Sequence, residues 1–433
     1  MPAVLTHDFF AADALGAASH VLYFSNFDEH DAFKLGNQGP DPLFYLVADP
    51  LSDPDTRDFG NTMHHDRPAR LLCSLHDAIS MLSESERPVG EAYAAGVLCH
   101  YLLDSTMHPF VFAWENALCD AGGPGLDRSD HGKVHAEIER DFDEMVLYTK
   151  TGETVETYAP YKHVLQGSDE VLATIDKLYF YMGLWTYSET LPLDIYSRAV
   201  KSFRRVQHLF WSPGGGKARV LGTVERAVTH DRYSRYCAMA HRARAEKTSD
   251  FDNRDHREWR DPFSGEVRTE GFWDLYQAAL DRMPAAEECF FDDCFDLRRA
   301  EELSANLNFS GEPVEDGEAC HRLPPRARPR ATRCRRTSPK TPSPSSRSDR
   351  LCAKRDFPAT ACTGRKRRAS LTCAIPAAAW PSLSTAATGI GAPTARCLCR
   401  GTTPAFGRRS LPATRRATHA TRSCCAPRAG RSS

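Results

Sequence analysis

His100, Asp104 and His108 recur at four-residue spacing within the segment GEAYAAGVLCHYLLDSTMHP, residues 90–109. On an α-helix each step of four turns the side chain only about 40°, so all three lie along one face. Imidazole and carboxylate groups held in that way are the ligand types of a zinc site. A polar stripe on a solvated helix would be the plainer reading, but Ala94, Ala95, Val97, Leu98, Leu102 and Leu103 make this segment apolar almost all round. Polar groups on a buried helix need partners, and a metal ion supplies them.

Further donors cluster nearby. Ten of the seventeen histidines fall in the first 135 residues, so a site built there has the supply it needs. His7 opens the first helix, as a ligand or as a residue of the helix cap. Asp41 sits in the loop GNQGPDP (36–42), His64 and His65 in NTMHHDRP, and His131 and His135 one turn apart further on. Together these make one HxxxDxxxH, one HxxxH, an extra Asp and outlying histidines. That exceeds one tetrahedral zinc and predicts two or three ions. His20, His30 and His76 read as ordinary surface or core groups.

The elements that must position these residues read as helices. Apolar residues at three- and four-residue spacing predict a first helix through Ala18 with Thr6 as N-cap. The same spacing predicts helices over 83–104, entered near Pro88, and over 131–150, with Val134, Ile138, Phe142, Met145 and Val146 on its apolar side. Further helices are expected over 169–185, 194–210 and 222–244. Strand-like alternation is scarce, so the class is all-α, a multi-helix bundle. The loops 36–42 and 121–130 carry or flank ligand candidates. SPGGGK (212–217) lacks the glycine spacing and the Ser/Thr of a phosphate loop and reads as a helix-breaking loop.

The chain changes character near residue 318. Residues 1–318 carry 30 Lys and Arg against 55 Asp and Glu, a balance of -25, whereas 319–433 carry 25 against 2, a balance of +23. The second part is rich in Arg, Pro, Ala, Ser and Thr, holds nine of the fifteen cysteines and shows no lasting apolar period. It reads as a disordered basic tail. A tail that binds nucleic acid or membrane would not need the scattered cysteines or Trp380, and their spacings match no zinc pattern. An out-of-frame reading of a G+C-rich gene explains the composition best. The domains are thus 1–317, helical, and 318–433, to which no function is assigned. The six cysteines of the first part form no CxxC pair, Cys73 and Cys99 read as core thiols, and neither a signal peptide nor a membrane span is visible. A cytoplasmic location is expected.

Taken together, TH at the start of the first helix, GPDPLFY, MHHD, HYLLDSTMHP and HGKVHAEIERDFD resemble, in order, the zinc-dependent phospholipase C family. The resemblance covers about residues 1–150. It implies the all-helical fold that the family shares with single-strand zinc nucleases. It also implies one metal on Asp41, His64, His100 and Asp104, and a second on His108, His131 and the residue one turn on. A third ion would share Asp104 with His7 and, in secreted members, the free N-terminus. The family commonly has Glu where this chain has His135, and Glu139 is the alternative ligand; His65 is the alternative to His64. The secreted enzymes leave two more residues between the Asp and the next His, so Pro109 is expected to end the helix and let His108 fan out.

The implied activity is phosphodiester hydrolysis, with a zinc-activated water attacking phosphorus and Asp41 as general base or water orienter. A phospholipid or other phosphodiester is the expected substrate, with peripheral membrane contact, and Phe44, Tyr45, Phe110, Phe112 and Trp114 as an apolar lip. A single-strand nuclease would need a basic groove, which a body at -25 disfavours, so nucleic acid is not the favoured partner and no obligate protein partner is inferred. An HD-type phosphohydrolase would run its ligands through the His-Asp pairs at 7–8, 65–66, 76–77 or 230–231. A metal-binding scaffold without turnover is the non-enzymatic alternative.

Overall fold

Apolar spacing of three and four residues shapes most of this chain, and the helices it forms gather around one long central helix. The computed structural model describes residues 4–17, 24–122 and 126–314. In chain order the elements are α1 (Val4–Ala17), α2 (Phe27–Asn37), a 3-10 segment (Asp41–Ala48), α3 (Pro54–His65), α4 (Pro68–Ile79) and α5 (Arg87–Asp120). They continue with α6 (His131–Thr151), α7 (Val155–Tyr158), α8 (Asp169–Met182), α9 (Ile195–Phe210), α10 (Gly216–Thr229), α11 (Arg235–Met239), α12 (Phe272–Phe290) and α13 (Leu297–Ser304). Between α11 and α12 a small antiparallel pair, β1 (Trp259–Arg260) and β2 (Val267–Arg268), aligns Trp259 with Arg268. The molecule is mostly helical, as the residue pattern leads one to expect. Among the described residues no helix is long and apolar enough to cross a membrane.

The 34-residue α5 is the axis of the fold. Tyr93, Leu98, Cys99, Tyr101 and Phe110 on it are wholly buried, because helices cover it on several sides. α2 crosses it backbone to backbone. A Cβ on Gly36 would lie 2.1 Å from the Tyr93 carbonyl oxygen, and one on Gly96 would lie 2.1 Å from that of Phe33. Only glycines permit that approach. It sets the end of α2 beside His100, one turn further along α5.

Pro109 does not end the helix. α5 runs through it to Asp120, so His108 is held in regular helix rather than fanned out by a break. Proline has no N–H, which leaves the Ser105 carbonyl without its donor four residues on. The segment after α13 packs against this place: a Cβ on Gly311, whose φ is +75°, would lie 2.7 Å from the Ser105 oxygen. Tyr101 donates its hydroxyl to the Leu307 carbonyl at 2.6 Å, and the Phe309 amide donates to His64 O at 3.1 Å. The same strap thus lies across α5 and the end of α3.

Three other boundaries differ from expectation. Thr6 lies inside α1, and its amide and hydroxyl both donate to Asp143 of α6, at 2.8 and 2.7 Å, with the Leu5 amide at 3.1 Å. The cap is supplied by a carboxylate 137 residues away, which no local pattern reveals. The helix expected over 222–244 is two helices. His230 adopts a left-handed conformation (φ 60°), and Glu225 of α10 accepts from the Arg235 and Tyr236 amides at the start of α11. Residues 240–244 are not helical, because Arg242 and Arg244 turn to the buried Asp141, and Arg242 also to Glu144. The helix expected over 169–185 ends at Met182 and passes into a π-turn, Gly183–Tyr187. His20, Ala18, the 317/318 boundary and the basic tail lie outside the described residues.

Candidate metal centre

The central helix places His100, Asp104 and His108 in successive turns, all buried, and other elements bring donors to them. Asp41 begins the 3-10 segment and His64 stands in the last turn of α3. Asp41, His64, His100 and Asp104 form one convergent set, whose donor atoms all lie within 4.8 Å of one another. His64 Nε2 is 3.0 Å and His100 Nε2 3.9 Å from Asp41 Oδ1, and His100 Nε2 is 3.1 Å from Asp104 Oδ2. His65, the alternative to His64, is exposed and bonds Asn61 O of its own helix.

Each imidazole is oriented through its other nitrogen. His64 Nδ1 donates to Gly60 O at 2.7 Å and His100 Nδ1 to Asn37 O at 3.0 Å, the carbonyl that the α2–α5 crossing delivers. With the proton on Nδ1, Nε2 carries the lone pair that a metal takes. Gly39, at φ +50°, lets the backbone pass the ring: a Cβ there would lie 2.4 Å from His100 Cδ2. His7 reaches the same place from α1, with Nε2 3.2 Å from Asp104 Oδ1 and its ring stacked on His100 at 4.3 Å.

His108, His135 and Glu139 form a second convergent set. His108 Nδ1 donates to Phe309 O at 2.7 Å, and its Nε2 lies 3.3 Å from Glu139 Oε1. His135 Nε2 lies 3.2 Å from the same oxygen. His135 and Glu139, alternatives in the sequence, are thus present together. His131 is not part of this set: its Nδ1 faces Glu115 Oε1 at 2.9 Å, while His135 Nδ1 faces Glu115 Oε2 at 2.8 Å. Glu115, nearly fully buried, belongs to none of the sequence motifs, although it continues the stripe of α5 seven residues beyond His108. Asp104 Oδ2 is 3.8 Å from His108 Nδ1, and Asp104, His108 and Glu139 line one cavity with Thr6, His7 and Phe272.

The donor set fits a cation. Asp41, Asp104, Glu115 and Glu139 put four carboxylates within the fold's interior. His100 Nε2, Asp104 Oδ2, Glu139 Oε2, His7 Nδ1 and His131 Nε2 are buried atoms with no hydrogen-bond partner among the described residues. Unpaired buried polar atoms are costly, and several pointing into one region are what bound ions satisfy. Burial alone would push His100 down, yet the Asp104 and Asp41 charges overcome it and hold the imidazole up at about 9. Burial likewise opposes protonation of His135, but Glu139 and Glu115 raise it to about 10. Asp104 is held well below the usual carboxylate range against burial, by His108, His100 and His7. Without an ion, protons on the imidazoles balance the carboxylates; with one, the metal takes their place.

The expected aromatic lip is mostly core. Tyr45 stacks on Phe203 at 3.6 Å and Phe110 lies against Phe142, both buried, while Phe44 packs on the His64 ring at 4.7 Å. Phe112, half-buried, lies 5.0 Å from the His135 ring, and Trp114 packs against Phe251. Neither convergent set contains a sequence-adjacent His-Asp pair: Asp8 is paired with Lys34 at 2.8 Å and Asp231 with Lys133 at 3.1 Å. No family model, curated protein or solved structure matches this chain.

Proposed function

We propose that the chain is a zinc-dependent phosphodiester hydrolase of the phospholipase C type. The observation that supports this reading is the pair of buried donor sets, Asp41/His64/His100/Asp104 and His108/His135/Glu139, adjoining at Asp104 and His108. Neighbouring divalent ions held by such sets supply Lewis acidity toward phosphoryl oxygens and acidify a water. The protein's own groups do the rest. The Gly60, Asn37 and Phe309 carbonyls fix the tautomers of His64, His100 and His108. Asp41 orients the attacking water or takes its proton. His7, stacked on His100, holds its Nε2 beside Asp104 Oδ1, and Asp143 fixes the start of α1, which carries His7, by accepting from the Leu5 and Thr6 amides.

Metal analysis of the purified protein, with hydrolysis assays on bis-nitrophenyl phosphate and phosphatidylcholine, tests the proposal. Two or three equivalents of zinc with hydrolysis of either diester is the expected result. Bound zinc without turnover would leave a metal-binding scaffold, and a chain that binds no divalent metal would end the reading altogether.

A further inference from the structure

Three tyrosines are buried together between α5, α8 and α9. Tyr93, Tyr179 and Tyr196 have almost no exposed surface, Tyr179 stacks on Tyr196 at 4.7 Å, and Tyr93 meets Tyr196 edge-on at 5.5 Å. Phenylalanine would fill the same space, so each hydroxyl needs a partner to offset its burial. Tyr93 donates to the Tyr179 hydroxyl at 3.0 Å, Tyr179 donates to Gly39 O at 3.2 Å, and Tyr196 donates to Leu35 O at 3.0 Å. Burial holds all three phenols above their ordinary range, so they remain donors at any physiological pH.

Both carbonyls belong to the turn 35–41, which leaves α2 and delivers two groups to the first donor set, the Asn37 carbonyl on His100 Nδ1 and the Asp41 carboxylate. Its own bonds run from the Gln38 amide to Leu35 O, from Gly39 to Gly36 O, from Asp41 to Gln38 O and from Leu43 to Pro40 O. The series skips Asn37 O and Gly39 O. The amides three residues on would be those of Pro40 and Pro42, which have no N–H. His100 takes the first open carbonyl and Tyr179 the second. Gly39 also lies against the His100 ring, where a Cβ would come within 2.4 Å. A shift of its carbonyl therefore moves the backbone that touches one ligand and carries another.

We infer that Tyr179, with Tyr93 behind it, is a positioning residue for the first donor set, its hydroxyl fixing the turn that aims His100 and presents Asp41. Without that donor a buried carbonyl is left unpaired, and the turn relaxes away from the position His100 requires. The tyrosine hydroxyls bond no metal donor of either set among the described residues, so Tyr179 acts through the backbone alone. The second set takes its orientation from Phe309 O and Glu115, outside this turn. This role rests on the metal-binding part of the proposed function, not on its reaction.

Cobalt(II) titration of the chelator-treated full chain tests it, since the visible spectrum of cobalt reports ligand geometry. The nine cysteines of 319–433 are the same in every variant, so differences between variants report the body. Tyr179→Phe keeps the ring stack and loses the donor. It lowers the affinity of one class of cobalt by about tenfold, shifts the absorption of that class and leaves the other class as in the parent. Tyr93→Phe gives a smaller change of the same kind. Adding it to Tyr179→Phe changes nothing further, because it acts through that hydroxyl. Tyr276→Phe removes another buried hydroxyl, which donates to Asp13 Oδ2 at 2.8 Å, and lowers the melting temperature without altering the cobalt spectrum. Affinity and spectrum of Tyr179→Phe equal to the parent's, or a change shared with Tyr276→Phe, overturn the inference while the metal centre stands. Equal weakening of both classes overturns it too, because that reports a loosened fold. A parent chain that binds no cobalt ends the metal centre, and this role with it.

Discussion

His100 Nε2 and Asp104 Oδ2 lie 3.1 Å apart, one helical turn from each other, yet neither atom makes a well-aligned hydrogen bond among the described residues. Close approach without alignment means that the two point toward a shared position rather than at one another. With Asp41 and His64 completing the set, a cation at that position accounts for both atoms.

Metal binding is therefore linked to folding. An ion that binds only the native chain raises stability by about 2.7 kcal/mol at a hundredfold excess over its dissociation constant. Chelator-treated protein melts at a lower temperature, and zinc restores the loss. In His100→Ala the restoration is weaker and the retained zinc falls by at least one equivalent. A melting temperature unmoved by chelator and zinc in the parent chain would contradict the assignment.

Gly39→Ala tests the same centre without touching a ligand. The residue sits at φ +50°, and its new methyl group would lie 2.4 Å from the His100 ring. The backbone term costs about 1 kcal/mol, and the ring must move for the methyl to fit. The expected outcome is a protein of native helix content with zinc affinity lowered by about tenfold or more, as misplacement of a ligand does. Equilibrium dialysis beside circular dichroism separates this from unfolding.

Glu115→Gln addresses the second set alone. Glu115 faces Nδ1 of both His131 and His135, so the change removes the charge that orients His135 while leaving His100 and His64 untouched. Loss of such a partner lowers metal affinity by about 10–100-fold. Chelator competition should then show one weakened class of zinc and one unchanged class. A uniform weakening would mean that Glu115 supports the fold and not this set.

The sequence reveals the helical class and the His100–Asp104–His108 stripe because both are written locally, in apolar spacing and in the four-residue recurrence along α5; the grouping of Asp41 and His64 with His100 and Asp104 comes only from the family resemblance. What it hides depends on tertiary contact. Thr6 reads as an N-cap because a hydroxyl before an apolar run usually is one, but Asp143 supplies the cap from α6. Pro109 reads as a terminator because isolated helices break there, yet packing around α5 holds the turn together. His131 and His135 share a spacing that suggests common ligation, and both do face Glu115, but only His135 also reaches Glu139 and so joins His108. Glu115 itself could be found by extending the stripe of His100, Asp104 and His108 by two turns.

Glu287 makes stability depend on pH from a place outside the metal centre. It lies on α12 with no exposed surface, and neither carboxyl oxygen has a hydrogen-bond partner among the described residues. Burial raises it to about 7, well above its ordinary 4.5. Below pH 4.5 both the folded and unfolded chains hold the proton, so the group adds no pH dependence to stability. Between about 4.5 and 7 the folded chain keeps a proton that the unfolded chain has released, and stability falls as pH rises. Above 7 the loss is complete at about 3 kcal/mol, each pH unit between the two values contributing about 1.36 kcal/mol. Glu287→Gln removes the ionisable group, so its stability relative to the parent should climb across this window and level off above it. Urea denaturation at about pH 5, 6, 7 and 8 reads the difference directly. A constant difference across those pH values would show that Glu287 is solvated or paired in solution.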